Sequence, residues 1–249
     1  MTFDLTLMEC PTCRSGNFQI QSDRLVCTQC TATFAIRDRI ACFLQQFNDY
    51  TANYEQICTD DLVTPKTPSI VKQIFTQLVQ ERARGITCDL GCGDGYVIQR
   101  VESPEKIAVD IAFDYLKRLP ESMMRIWGEV ETVPLASGCI ETIICTDVLE
   151  HVQDATLLAR EIDRLLQPEG KVLLAFPFEQ DLSVYDLPEY KAKYAKYKYV
   201  HLRSVDDVLI TELFPEFEVR FSHLIVEGMK FMEFKPYPIK FVELVRRNR

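Results

Sequence analysis

Residues 86–96 read Ile86-Thr87-Cys88-Asp89-Leu90-Gly91-Cys92-Gly93-Asp94-Gly95-Tyr96. A short apolar run, Ile86 to Leu90, ends in three glycines at alternate positions. The run is bounded by glycine and only a few residues long, as a buried strand should be. The glycines let the backbone turn tightly and approach a ligand with no Cβ in the way. The stretch predicts a ligand-binding turn at the carboxyl end of a strand.

A loop that cradles a dinucleotide pyrophosphate is spaced G-x-G-x-x-G. Here the spacing is G-x-G-x-G, Tyr96 stands where the third glycine is needed, and Asp89 and Asp94 flank the turn. Carboxylates in a phosphate cradle repel the anion, so the pattern suits a cationic ligand, such as one carrying an ammonium and a sulfonium. About 20 residues after Asp89, Lys106-Ile107-Ala108-Val109-Asp110 reads as a second short strand ending in an acid, placed to accept hydrogen bonds from ribose hydroxyls.

Asp89-Leu-Gly-Cys-Gly-Asp-Gly95, Asp110 and Thr146-Asp-Val-Leu-Glu-His-Val152 come in an order and spacing that resembles the class I S-adenosylmethionine-dependent methyltransferases. The closest resemblance is to the small-domain group whose fourth motif contains Leu-Glu-His, and it covers roughly residues 67–249. It implies an α/β, Rossmann-like seven-stranded sheet with helices on both faces. It also implies S-adenosylmethionine as cofactor, held by Asp89, Gly91, Cys92, Gly93, Asp94 and Gly95, by Asp110 and Ile111, and by Thr146 and Asp147. In the family an acid and an apolar residue after the third strand contact adenine; here they are Glu129, in place of the commoner aspartate, and Val130. Asn48 to Tyr54 resembles the segment ahead of the family's first helix, which makes Tyr54 a cofactor contact or, on the plainer reading, a packing aromatic. His151, Asp147 and His201 are the candidate catalytic side chains near the methyl group, with an orienting hydrogen bond as the alternative role for His151.

The 249 residues suffice for one large domain plus a small one, and 47% hydrophobic with 26% charged residues is ordinary for a globular chain. No apolar run approaches the roughly 20 residues that span a bilayer, and no basic-then-apolar leader opens the sequence, so a cytoplasmic protein without membrane association is expected. A net charge of −9 argues mildly against nucleic acid as the general partner.

Ten cysteines in such a chain point to metal rather than disulfides where they come as Cys-x-x-Cys pairs. Cys10-Pro-Thr-Cys13 and Cys27-Thr-Gln-Cys30 give C-x2-C-x13-C-x2-C. Four thiolates on two tight turns can close a tetrahedron around structural zinc. Residues 1–45 are therefore a zinc ribbon, 46–66 a connector and 67–249 the methyltransferase domain. Thr31 to Ile40 resembles the hairpin that follows the second knuckle in ribbons fused to methyltransferases.

Further along, Ser69 to Arg84 has helical spacing with Ser69 as N-cap, and Tyr96 to Glu102 and Asp114 to Leu119 are short helices. Met123 to Trp127, Glu141 to Cys145 and Lys171 to Phe176 read as strands. Gln153 to Leu166 is an amphipathic helix with Leu157, Leu158, Ile162, Leu165 and Leu166 on one face. Val205 to Phe214 is the last helix, with Ser204 as N-cap, before terminal strands at Phe217 to Phe221 and Ile239 to Val245. An aromatic loop, Gly228 to Pro238, lies between those strands.

The resemblance favours a small-molecule acceptor, in a pocket lined by the tyrosines of residues 179–203 and by Phe178. The same stretch interleaves Tyr185, Tyr190, Tyr194, Tyr197 and Tyr199 with Lys191, Lys193, Lys196, Lys198, His201 and Arg203. Basic and aromatic residues together can grip single-stranded nucleic acid, so an RNA base methyltransferase using segment 190–203 is the rival reading. A non-catalytic module whose ribbon binds a partner protein is the third. The sequence leaves the oligomeric state open.

Overall fold

The computed structural model describes residues 3–60, 69–178, 186–199, 201–226 and 238–247. Four short strands come first: β1 (Phe18–Gln21), β2 (Arg24–Cys27), β3 (Thr33–Arg37) and β4 (Ile40–Cys42). Two helices follow, α1 (Asp49–Thr59) and α2 (Ile70–Arg82). Strands and helices then alternate: β5 (Thr87–Leu90), β6 (Lys106–Asp110), α3 (Phe113–Lys117), β7 (Met124–Trp127), β8 (Ile140–Thr146), α4 (Ala155–Leu165) and β9 (Leu166–Pro177). Helices α5 (Pro188–Tyr194) and α6 (Asp207–Leu213) precede an antiparallel pair, β10 (Phe217–Ile225) and β11 (Ile239–Arg246).

Among the described residues the strands form one mixed sheet in the order β1-β2-β3-β4-β7-β6-β5-β8-β9-β11-β10. Strands β5 to β9 run parallel to their neighbours, and β11 returns antiparallel to β9. The parallel strands are buried along their length, which is why they read as continuous apolar runs rather than alternating ones. Strand β5 pairs with β6 on one side and β8 on the other, so the winding reverses there. Open α/β sheets leave a crevice at such a switch point, beyond the carboxyl ends of the strands. Here those ends are Leu90, Asp110, Trp127 and Thr146.

The local signals that make these elements are ordinary ones. Ser69 Oγ accepts the Lys72 N–H and caps α2, as its sequence predicts. Asp154 caps α4 by accepting the Thr156 and Leu157 N–H groups at 2.9 and 3.0 Å. Leu158, Ile162 and Leu165 bury the inner face of α4, whereas Leu157 faces solvent. Helix α6 is capped by Asp206, two residues after the expected Ser204. The helix expected from Tyr96 to Glu102 is only a 3-10 turn, Ile98–Arg100, because Val101 is already extended and Ser103 precedes Pro104. The connector expected between 46 and 66 contains α1, capped by Asn48 on the Thr51 N–H. Residues 61–68, Tyr185 and the aromatic loop up to Tyr237 lie outside the described residues.

The largest departure from the sequence reading concerns the N-terminal unit, which is not a separate body ahead of a seven-stranded sheet. Strand β4 pairs parallel with β7, Ala41 opposite Ile126 and Cys42 opposite Trp127, so the N-terminal strands extend the sheet itself. Leu7, Met8, Phe18 and Leu25 pack in the same continuous core as Leu90, Met124, Ile126 and Leu135. A buried arginine locks the junction. Arg125, on β7, donates to the Leu116 and Leu119 carbonyls at 3.2 and 3.3 Å and to the Asp38 and Arg39 carbonyls at 2.9 and 3.5 Å. Asp38 and Arg39 both have positive φ, 50° and 60°, and make the tight turn of the β3–β4 hairpin. A buried guanidinium is tolerated because its charge is spread over several acceptors. Arg125→Met should leave those carbonyls short of donors and cost on the order of 3 kcal/mol, read from the midpoint of urea unfolding. A loss below about 1 kcal/mol would show that the arginine does not tie the hairpin to the sheet.

Candidate active site

The turn after β5 shapes the crevice. Gly91 has φ +75°, and a Cβ there would sit 2.5 Å from Val148 Cγ2, so only glycine lets the turn pass beneath the end of β8. Gly93 has φ +52°, and a Cβ built on it meets nothing within 4 Å. Its missing side chain opens onto a cleft instead. Asp110, at the end of β6, accepts the Gly93 N–H at 2.7 Å and the Ala112 N–H at 2.8 Å. Burial pushes its carboxyl up to about 6, with those backbone donors pulling the other way.

The cleft has a volume of about 220 Å³ and opens to solvent at its mouth. Of the sequence-predicted residues, Tyr54, Gly91, Gly93, Asp110, Ile111, Glu129, Val130, Asp147 and His151 line it. The others lie one layer back. Asp89 is buried beneath the turn, its Oδ1 without a hydrogen-bond partner, and burial followed by the nearby Asp110 charge pushes its carboxyl up to about 8. Cys92 packs into the core with Ile40, Ala108, Leu116 and Leu119. Asp94 accepts the Tyr96 N–H and pairs with Lys72 at 3.3 Å. Gly95 closes against Leu119, and Thr146 ends β8.

The wall opposite the glycine turn is built from the chain after β8. Asp147 adopts φ +55°, unusual for a residue with a side chain, and its N–H bonds the Ala175 carbonyl at 2.8 Å. That conformation swings the chain out of the sheet into the 148–152 turn. The Asp147 side chain is exposed at the cleft mouth, and the desolvation it meets there raises its pKa, against the pull of Lys72 and His201. His151 follows, its Nε2 3.8 Å from Glu150 Oε1 and its carbonyl accepting the Tyr50 hydroxyl at 3.1 Å. The His151 and His201 rings are 4.9 Å apart between centroids. His201 itself does not line the cleft. It is carried on a strap in which the Leu202 N–H bonds the Glu150 carbonyl at 2.7 Å and Arg203 bonds the Leu149, Val152 and Gln153 carbonyls.

Tyrosines close the remaining side. Tyr50 and Tyr54 of α1 meet edge to face at 4.9 Å, and Tyr199 packs on Tyr50 at 5.2 Å. Asn53 holds this stretch on α1, donating to the Tyr199 carbonyl and accepting the Lys198 and Tyr199 N–H groups. Among the described side chains of the basic stretch, Lys191 pairs with Asp186, Lys196 with Asp60 and Lys198 with Asp49, at 3.0, 2.7 and 3.0 Å. Lys196 and the Tyr197 hydroxyl hold the Asp60 carboxyl down to about 2. Phe178, expected in the pocket, instead lies under Lys240 and is not among the cleft residues. Tyr115 on α3 and the largely buried Glu131 also line the cleft, and sequence reasoning missed both. The signal for Tyr115 was its place one helical turn beyond the Asp110 strand end.

Residues 88–174 match the family model described as a methyltransferase domain. Among curated proteins, the chain is 34% identical over 97 residues to the ubiquinone biosynthesis O-methyltransferase of Xanthomonas oryzae, covering 35% of this chain and 41% of that protein. It is 25% identical over 152 residues to an uncharacterized 37.1 kDa protein in a transposon of Streptomyces fradiae, covering 57% and 44%. The matches thus span about two fifths of these relatives' own length. Among solved structures, a methyltransferase complex of Haloferax volcanii with the activator Trm112 aligns with a TM-score of 0.61 at 11% identity, covering 82% of this chain and 99% of that one. An S-adenosylmethionine-dependent methyltransferase of Thermotoga maritima aligns at 0.57 and 13%, covering 80% and 100%. At such identities the likeness is one of fold, a class I methyltransferase-like α/β architecture with a mixed sheet. Residues 88–174 are thus similar to a methyltransferase domain, set within a fold of the methyltransferase kind.

Proposed function

We propose that this chain transfers the methyl group of S-adenosylmethionine to a small-molecule acceptor. The observation that carries the reading is the opening at Gly93, where the missing Cβ and the Asp110 carboxylate meet in a cleft lined by tyrosines. A ribose fits the carboxylate, and adenine fits against Val130 and Ile111, with Glu129 beside it for the exocyclic amine. The cofactor supplies an activated methyl group. The chain's own work is to hold the donor and acceptor in line and to keep water out of the aromatic cleft. Asp147 and His151 face the acceptor end. The curated relatives named for an O-methyltransferase activity support a small molecule, and Lys196 and Lys198 are paired with the chain's own Asp60 and Asp49. Methyl transfer from labelled cofactor into extract fractions should survive ribonuclease treatment; transfer abolished by ribonuclease would reverse the assignment.

The same reading gives zinc to Cys10, Cys13, Cys27 and Cys30. Their sulfurs all lie within 4.8 Å of one another, with Cys10–Cys30 at 3.7 Å and Cys13–Cys27 at 3.6 Å. Four sulfurs about 2.3 Å from a tetrahedral ion stand about 3.8 Å apart, so the set fits zinc. Because this unit shares its core with the main sheet, Cys27→Ser should abolish zinc in atomic emission and lower the melting temperature of the whole chain in one transition. An unchanged main transition beside a separate early one would contradict the shared core.

Two glycine variants separate folding from binding. Gly91→Ala drives a methyl into Val148 and should cost about 2–4 kcal/mol of stability. Gly93→Ala pays only for its left-handed backbone, about 1–2 kcal/mol, but puts the methyl into the cleft. Its S-adenosylhomocysteine affinity should fall at least about tenfold by calorimetry, a difference of 1.4 kcal/mol. Retained affinity would move the cofactor away from this turn.

Asp110 gives the pH dependence. Ribose hydroxyls donate to the ionised carboxylate, so binding favours the deprotonated form and strengthens as pH rises through about 6. S-adenosylhomocysteine affinity should fall below that pH in the wild type, and Asp110→Asn should be both weaker and flat. A flat wild-type profile would remove Asp110 from the contact.

A further inference from the structure

We propose that Glu150, His151 and His201 form a binding site for a divalent transition-metal cation beside the acceptor end of the cleft, with open coordination positions that take an acceptor hydroxyl. The proposal rests on the methyl-transfer reading for its chemistry, but the site itself stands on geometry. One ligand atom from each of the three residues falls within 4.8 Å of the others. Ligand atoms opposite one another on a single ion, each about 2.1 Å from it, are separated by about 4.2 Å. Small rotations of the two imidazoles therefore bring all three donors onto one ion.

The surroundings favour a cation. Glu150 is 1% exposed, and its carboxylate faces His151 Nε2 at 3.8 Å. A buried carboxylate is stabilised by an adjacent positive charge, which a metal held on neutral imidazoles supplies. Two nitrogen donors and one oxygen suit manganese, iron, cobalt or zinc better than magnesium or calcium, which prefer all-oxygen shells. Three protein ligands leave further positions open for an exogenous oxygen.

The ligands are also held in place before any ion arrives. His151 is fixed through its carbonyl by the Tyr50 hydroxyl, and its ring lies 6.2 Å from the Tyr54 ring. The strap carrying His201 is fastened by Leu202 on the Glu150 carbonyl and by Arg203 on three carbonyls of the 149–153 turn. Backbone fastening of this kind holds the backbone that carries the ligands in place.

The chemistry balances without an oxidant or reductant. The acceptor hydroxyl binds through oxygen, and the cation lowers its pKa so that its proton leaves to water at the cleft mouth. The oxygen's electron pair forms the C–O bond to the sulfonium methyl while the C–S pair returns to sulfur. The products are a methyl ether and the thioether S-adenosylhomocysteine.

The test uses the full chain with zinc already in the four-cysteine site, and Mn2+ as the probe. Calorimetry and electron paramagnetic resonance should show one Mn2+ per chain, with nitrogen couplings from imidazole and enhanced water-proton relaxation from an open position. Glu150→Gln and His201→Gln should each weaken Mn2+ binding at least about tenfold, the loss that even an outer partner's removal causes. Both should keep the wild-type thermal transition and S-adenosylhomocysteine affinity. No Mn2+ uptake, uptake unchanged in both variants, or bound Mn2+ without nitrogen coupling overturns the site; bound Mn2+ without exchangeable water overturns its acceptor role. Loss of S-adenosylhomocysteine binding with Mn2+ binding intact instead defeats the methyl-transfer reading.

Discussion

Asp110 accepts hydrogen bonds from the Gly93 and Ala112 N–H groups, and the ligand edge of the molecule depends on that pair. The two bonds join the turn after β5 to the chain leaving β6 across the sheet's point of reversal. Without them the Gly93 amide would face a mostly apolar cleft unpaired, and the turn would lose its reason to hold φ +52°. The carboxylate carries its burial cost because backbone donors and an open cleft share it. The same atoms that hold the turn can therefore also meet a ligand, since a carboxylate has lone pairs left after two N–H bonds.

The wall opposite this pair is steadied from further away. Strand β7 would otherwise be the edge of a parallel sheet, and β4 covers it. The Phe43 and Leu44 N–H groups both bond the Trp127 carbonyl, at 2.8 and 3.1 Å, at the residue from which the chain enters Gly128 to Val130. The Trp127 indole N–H bonds the Ile111 carbonyl at 2.8 Å. The N-terminal unit thus braces two sides of the cleft, at Ile111 and at Glu129 and Val130. It also shares its core with the sheet. Cys10 and Cys27 belong to that shared core and Cys13 and Cys30 pack against it, so a metal held there would be coupled to the cleft through packing.

What the sequence disclosed was local. Ile86 to Leu90 and Lys106 to Asp110 announce themselves because a buried parallel strand needs an unbroken apolar run, and the glycines because the turn needs left-handed backbone. Partnerships across long sequence separations left no such trace. Ile40 to Cys42 is too short for a period, so its pairing with β7 was invisible. Arg125 sits in Met124-Arg-Ile-Trp127, a strand whose lone charge reads as surface and is in fact buried on four carbonyls. The Lys/Tyr stretch looked like a nucleic-acid grip because composition cannot reveal that Asp49 and Asp60 lie opposite. Asp89 and Asp94, the acids that flank the glycine turn, do not line the cleft. Asp89 is buried with its carboxyl raised to about 8, and Asp94 is paired with Lys72. The carboxylates that line the cleft are those of Asp110, Glu129, Glu131 and Asp147.

That arrangement bears on how a methyl would move. A sulfonium cation between Asp110 and Asp147 is attracted from both ends, and the attraction is stronger in a cleft walled by tyrosine than in water. When an acceptor oxygen takes the methyl, positive charge on sulfur and negative charge on oxygen disappear together. A water-poor site favours a reaction that cancels charge, because the transition state needs less solvation than the reactants. The carboxylates alone would bind the reactant cation too well and oppose its neutralisation. A cation held at the proposed Glu150–His151–His201 site would offset this by stabilising the oxygen nucleophile. On that reading the aromatic walls, the two cleft-lining aspartates and the cluster would act on one charge balance.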